Sequence, residues 1–175
     1  LDGTLIDTLI VPGAPDIQQA MIDCVDLVQW LRKASVQARR TASVCSGTFL
    51  MAQAGLLDGR RAATHWAMCE MLKSGFPSVE VDLDAIFIQQ DNVWTSAGVS
   101  AGIDMALALV EADCGRDVAL QVARELVVFL KRPGGQAQFS QLLQLQMQEG
   151  AGFDELHVWI SEHLDDNSLT VERVA

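Results

Sequence analysis

What this 175-residue chain lacks narrows its function before any motif is read. No apolar run reaches the roughly 18 residues that span a bilayer, and the opening LDGTLIDTLIVPG has no basic flank of the signal-peptide kind. The expectation is a soluble, cytoplasmic protein without a membrane partner. The four cysteines, Cys24, Cys45, Cys69 and Cys114, form no CxxC pair and join no close His and Cys cluster. That spacing argues against a disulfide framework and a zinc site, and leaves reduced thiols with no metal. Basic residues are also few, 12 Lys and Arg against 23 Asp and Glu, for a net charge of −11. Duplex binding depends on clustered Lys and Arg, so none of these residues is expected to grip DNA. Arg39, Arg40, Arg60 and Arg61 are read as surface residues. The acidic run of Glu162, Asp165, Asp166 and Glu172 has no tight ligand spacing and reads as a solvated helix face.

What is present is a core. Half the residues are hydrophobic and the mean hydropathy is +0.21, which rules out disorder. The length suits one main domain with a short appendage. Residues 41–66, TASVCSGTFLMAQAGLLDGRRAATHW, carry the strongest local signal. They read as a strand over 42–44, an abrupt turn at Cys45, Ser46 and Gly47, a helix from Thr48 to about Leu57, and a second short strand over 62–66 that carries His65. Orphan N–H groups at a helix start attract an anion, a thiolate included. Gly47 is the residue expected to let the turn close and another group approach. The arrangement parallels the serine nucleophile elbow, with sulfur in place of oxygen.

Strands and helices alternate around this elbow. Residues 5–11 read as a buried parallel strand opening into the Pro12, Gly13, Ala14 loop, and residues 16–38 as an amphipathic helix, open to interruption. After the elbow come a helix over 67–73, extended runs at 79–81 and 85–90, a turn at Asp91 and Asn92, and a strand over 93–96. TSAGVSAG permits close packing or close approach to a ligand before a buried helix over 103–111. A further helix is expected over 117–131, stopped by Arg132, Pro133, Gly134 and Gly135. The Gln-rich stretch that follows reads as a linker, and 153–164 has helical spacing. The pattern predicts a mostly parallel sheet covered on both faces. Its ligand site would lie at the carboxyl ends of the strands, where the Gly13 loop, the Cys45 turn and His65 could converge.

The segments SVCSGTFLMAQAGLLDGRRAATHW, VWTSAGVSAGIDMALALVEAD, ARELVVFLKRPGGQAQFS and ELHVWISEHLDDNSLTVERVA together resemble AraC-family transcriptional regulators with an amino-terminal ThiJ/PfpI-type domain, related to class I glutamine amidotransferases. The resemblance implies an α/β, flavodoxin-like sensor domain over 1–134, a linker over 135–152, and the beginning of an all-α helix-turn-helix domain over 153–175. It places the first strand and helix of the sensor domain, with an acidic partner for the cysteine, upstream of Leu1. The recognition helix would lie beyond Ala175. It also implies a homodimer, a small-molecule effector, DNA contact through the helix-turn-helix domain, and no cofactor. The family's elbow cysteine falls on Cys45 and its THP or THW histidine on His65. Where hydrolytic relatives carry histidine after the cysteine, this chain has Ser46; the isonitrile-hydratase branch carries a hydroxyl residue there. Where relatives have PGG, it has Pro12, Gly13 and Ala14.

Two functions from different classes therefore stand. The leading reading is the ligand-sensing part of a transcriptional regulator, with the effector near Gly13, Ala14, Cys45, Ser46, Gly47, His65 and Trp66. The alternative is a cysteine-dependent hydratase or amidohydrolase with Cys45 as nucleophile, His65 as acid or base and backbone N–H groups holding the oxyanion. A dimerisation module with a vestigial pocket is a third. Each site residue also has a plain structural reading: Cys45 as a small buried side chain, His65 as a satisfied histidine, and Trp66 and Trp94 as packing aromatics.

Overall fold

Four strands form the central sheet in the order β1-β2-β6-β5, comprising β1 (Thr8–Val11), β2 (Arg40–Val44), β6 (Val93–Ser96) and β5 (Phe87–Gln90). The computed structural model describes residues 6–132 together with Gly135 and Gln136. The start of the first expected strand, the linker from Ala137 onward and the expected helix-turn-helix segment lie outside the described residues. β1, β2 and β6 run parallel, and β5 returns antiparallel to β6 through the Asp91-Asn92 turn. That two-residue connection holds Asp91 at φ 55°, the left-handed conformation that Asp tolerates. β2 is flanked on both sides, which is why Arg40, Thr41, Ala42 and Ser43 are all buried although only one of them is a strong hydrophobe.

The register separates two faces. Leu9 lies level with Thr41 and Val93, and Ile10 with Ala42 and Trp94. Leu9, Val11 and Val93 belong to the larger core, which α1 (Ile17–Asp23), α2 (Val25–Gln37) and α3 (Gly47–Gln53) cover with Ile17, Val28, Leu31, Phe49 and Met51. Ala42 and Trp94 belong to the smaller core under α5 (Val99–Cys114), with Met105 and Leu109. Fully burying a Phe, Met or Leu contributes about 1.5–3 kcal/mol each, so the first face is the main apolar source of stability. α6 (Arg116–Glu125) packs on α5.

Several boundaries differ from the sequence reading for identifiable reasons. The helix expected over 16–38 breaks at Cys24, where φ −101° and ψ 31° leave helical geometry. Two short helices can then follow the sheet, the first capped by Asp16 Oδ1, which accepts from the Gln19 N–H at 2.9 Å. The segment that carries His65 is not a strand of the main sheet. Only β3 (Arg61–Ala62) is extended there, and it pairs with β4 (Glu80–Val81) in a separate two-stranded sheet. The helix expected to reach Lys131 stops six residues earlier. Val127 takes φ 55°, its N–H bonds to the Arg124 carbonyl and that of Val128 to the Ala123 carbonyl, the two bonds of a helix stop that glycine usually supplies.

Candidate functional site

The carboxyl ends of β1, β2 and β6 meet at one point, and the chain turns there at Cys45. Its φ of 58° is uncommon for a residue with a side chain, so the conformational burden expected at Gly47 falls on the cysteine itself. Gly47 serves a different need. A Cβ at that position would overlap the Val11 carbonyl oxygen and come within 2.7 Å of that of Pro12. The turn is therefore wedged against the loop that follows β1, and α3 starts at Gly47 rather than Thr48.

Hydrogen bonds lock the elbow from three sides. The Cys45 N–H donates to the Ser96 and Ala97 carbonyls at 3.1 and 3.0 Å. Its carbonyl accepts from the Thr64 and Thr48 hydroxyls at 2.9 and 3.1 Å. Ser46 Oγ accepts from the Ala14 N–H at 3.0 Å and faces the Ala14 carbonyl at 3.1 Å. Beneath them a buried hydroxyl network continues: Ser43 and Thr48 lie 2.8 Å apart, Thr48 Oγ1 reaches the Ala63 carbonyl at 3.0 Å, and Thr95 Oγ1 accepts from the Ala63 N–H at 2.8 Å. Ser43, Thr48, Thr64 and Thr95 are all buried. Sequence reasoning missed these residues because scattered Ser and Thr carry no periodic signal. Their clustering next to predicted strand ends was the available clue.

The loop, the turn and the histidine segment are thus brought together. Gly13 packs against Ser46 so closely that a Cβ there would lie 2.9 Å from its Oγ and 3.3 Å from the Cys45 Cβ. His65 packs on Gly98: a Cβ at Gly98 would lie 2.8 Å from His65 Cδ2, which accounts for the glycine that ends TSAG. His65 Nδ1 accepts from the Ala67 N–H at 3.2 Å, capping the 3-10 turn Trp66–Met68, which leads into α4 (Cys69–Gly75). Trp66 stands beside it with ring centroids 5.4 Å apart, and at 56% exposure it is a surface aromatic rather than a core one. Trp94 is the core aromatic, stacked on Phe87.

Among the described residues no hydrogen bond joins the Cys45 sulfur to His65. Cys45 is partly exposed; Cys69 is buried, and burial pushes its thiol up, with Glu70 and Asp82 adding to the shift. A thiol so held stays neutral and donates to the His65 carbonyl at 3.6 Å. The four arginines singled out in the sequence are ion-paired: Arg39 with Asp7 and Asp113, Arg40 with Asp113, Arg60 with Asp91, Arg61 with Asp82. Among the described residues no group of three His, Cys, Asp or Glu could hold a metal, and no helix is long and apolar enough to cross a membrane. A cavity of about 260 Å³ opens between α5 and residues 127–132, over the Asp104–Arg132 pair, and one of about 90 Å³ lies beside β1 and α2. Neither is lined by Cys45 or His65.

A mostly parallel α/β sheet with a cysteine on a strained strand-to-helix turn, faced by a small-residue loop and a histidine segment, defines a flavodoxin-like domain of the cysteine-elbow type. Residues 3–112 match the DJ-1/PfpI family, and the chain belongs to it. It is 34% identical over 126 residues to an isonitrile hydratase of Pseudomonas putida, covering 71% of this chain and 53% of that protein. It is 36% identical over 107 residues to the HTH-type transcriptional regulator CdhR of Pseudomonas aeruginosa, covering 61% of this chain and 32% of that protein. The chain thus spans about half the length of the first and a third of the second. A ThiJ/PfpI family protein from Pseudomonas syringae shares the fold, with a TM-score of 0.61 at 24% identity over 84% of this chain and 63% of that one.

Proposed function

We propose that this domain is the effector-binding part of an AraC-type transcriptional regulator, holding a small molecule beside Cys45, His65, Trp66 and the Gly13–Ala14 loop. The observation that carries this reading is that no hydrogen bond joins the Cys45 sulfur to His65 among the described residues; beside the cysteine stands Ser46, which the hydratase branch matches with a hydroxyl residue. The Ser46 hydroxyl occupies the Ala14 N–H, and Pro12 has none, so neither residue offers a backbone donor to an oxyanion. His65 spends Nδ1 on the Ala67 N–H. The arrangement supports holding a ligand over activating a nucleophile, and the similarity to HTH-type regulators such as CdhR points the same way. Ligand binding would bias two arrangements of the domain and so the presentation of DNA-binding domains outside the described residues, as a homodimer.

The identity to an isonitrile hydratase favours a second reading, cysteine-dependent hydration at Cys45. One experiment separates the two. Amino-acid derivatives and small amines are screened by thermal shift against wild type and Cys45→Ala, and isonitriles are assayed for turnover. A ligand at 100 times its Kd stabilises by about 2.7 kcal/mol, a shift of several degrees. The sensor reading expects that shift without turnover; isonitrile turnover lost in Cys45→Ala would replace it with the enzyme.

A further inference from the structure

We infer that Gln136 is a latch that ties the state of the Cys45 site to the chain leaving the domain; this rests on the sensor reading and names its route of transmission. Gln136 stands outside the helices and strands that build the elbow, yet it is buried, at 7% exposure. Its backbone N–H donates to the Asp84 carbonyl at 2.8 Å. Its side-chain amide donates to the Ala85 carbonyl at 2.8 Å and to the Thr64 carbonyl at 3.3 Å. An amide nitrogen carries two protons, so both are spent on the domain.

Thr64 is what makes the contact informative. Its carbonyl holds the latch, while its hydroxyl holds the Cys45 carbonyl at 2.9 Å. It is fully buried, and a β-branched side chain has little torsional freedom. A displacement of the elbow therefore reaches the Thr64 backbone instead of being absorbed by a rotamer. His65, the next residue, adds a second handle, because a ligand that moves its ring off Gly98 moves the same peptide. When the Thr64 carbonyl shifts, one buried Gln136 donor loses its partner, and the latched state loses ground to one in which Gln136 is released. A linker that merely followed the last helix would need no such buried amide. By linkage, release of Gln136 must favour occupancy of the elbow by the same factor that occupancy of the elbow favours release of Gln136.

The test needs no knowledge of the effector, because iodoacetamide can occupy the site by alkylating Cys45. Amide exchange is followed residue by residue by NMR in the full chain before and after alkylation, with the extent at each cysteine read by mass spectrometry. Exchange of the Gln136 N–H should rise at least about fivefold, the low end of allosteric couplings, while that of Ala38 N–H, bonded to the Ala34 carbonyl far from the site, stays within twofold. Gln136→Ala, which removes the latched state, should also speed Cys45 alkylation. Gln53→Ala, which removes an amide bond to the Met21 carbonyl elsewhere, should leave it unchanged. An unaltered Gln136 amide on Cys45 alkylation overturns the latch even if Gln136→Ala fails to fold, as does equal acceleration by both variants. Either failure leaves ligand binding in the thermal-shift screen untouched, so the latch and the sensor reading fall separately.

Discussion

Strand β2 enters the sheet at Arg40, whose guanidinium meets Asp113 at 2.9 Å and the Thr8 hydroxyl, and leaves it at Val44, where backbone groups and neutral hydroxyls hold the next residues. The first end is a charged clamp. Arg39, half-exposed, joins Asp7 and Asp113 and ties β1, β2 and the end of α5 together. The second end is dry and uncharged, with Ser43, Thr48, Thr64, Thr95 and Ser96 all at or below 1% exposure. At the first end Arg39 and Asp7 reach water and the buried Arg40 is paired with Asp113, whereas at the second neutral hydroxyls position the elbow where an unpaired ion would carry a desolvation cost. The site is thus set by geometry rather than by a local field.

The largest expected effect lies at the dry end. Gly47→Ala forces a Cβ onto the Val11 and Pro12 carbonyls, backbone that cannot rotate away, and should cost about 3 kcal/mol or more by urea unfolding. Next, Thr48→Val keeps the volume but removes the hydroxyl from the Cys45 and Ala63 carbonyls and from Ser43, an expected loss of about 1–3 kcal/mol. Cys45→Gly acts on the backbone of the same dry end. Relief of the φ 58° backbone should offset glycine's extra entropy and stabilise by about 1 kcal/mol, while weakening any ligand bound there. If Cys45→Gly destabilises, the turn is not strained and the cysteine earns its place by packing.

The charged end predicts a pH dependence of smaller size. Hydrogen bonds from Arg39, with Thr8 next, lower Asp7 from 3.8 to about 2, and those from Arg39 and Arg40 hold Asp113 well below the ordinary range. Both carboxyls have a lower pKa folded than unfolded, so their contribution is complete above the unfolded value and is lost as pH falls from about 4 to 2. Urea midpoints measured from pH 6 to pH 2 should fall in that window, with a shallower fall in Asp113→Asn. Cys45 alkylation at pH 6 and above should be the same in that variant as in wild type, because the clamp sits at the other end of the strand.

Parts of this were legible in the sequence. Short strand-like runs beside turn signals located β2 and β6, the Asp91-Asn92 pair located the hairpin, and the Cys45-Ser46-Gly47 turn was placed correctly, because each depends on local patterning. The end of α6 was not legible, since Val127 performs there what glycine normally signals. His65 was placed on a strand because ATHW follows a strand-like run; the parallel pairing of β3 with β4 stops at Ala62, and the hydroxyls of Thr48 and Thr95 serve the Ala63 backbone instead. Gln136 fell within a Gln-rich stretch that composition marks as linker, and its bonds to Thr64 and Ala85 are tertiary contacts that composition does not carry.

On the sensor reading, the Cys45 site binds a small molecule and holds it unchanged. Isothermal titration calorimetry of the strongest thermal-shift ligand into the full chain tests this most directly. The account predicts heats that return to baseline after each injection and saturate at one site per chain, with affinity at least about tenfold weaker in Cys45→Ala, equivalent to 1.4 kcal/mol. A sustained heat flow after each injection, abolished in Cys45→Ala, would contradict it and establish turnover in place of sensing.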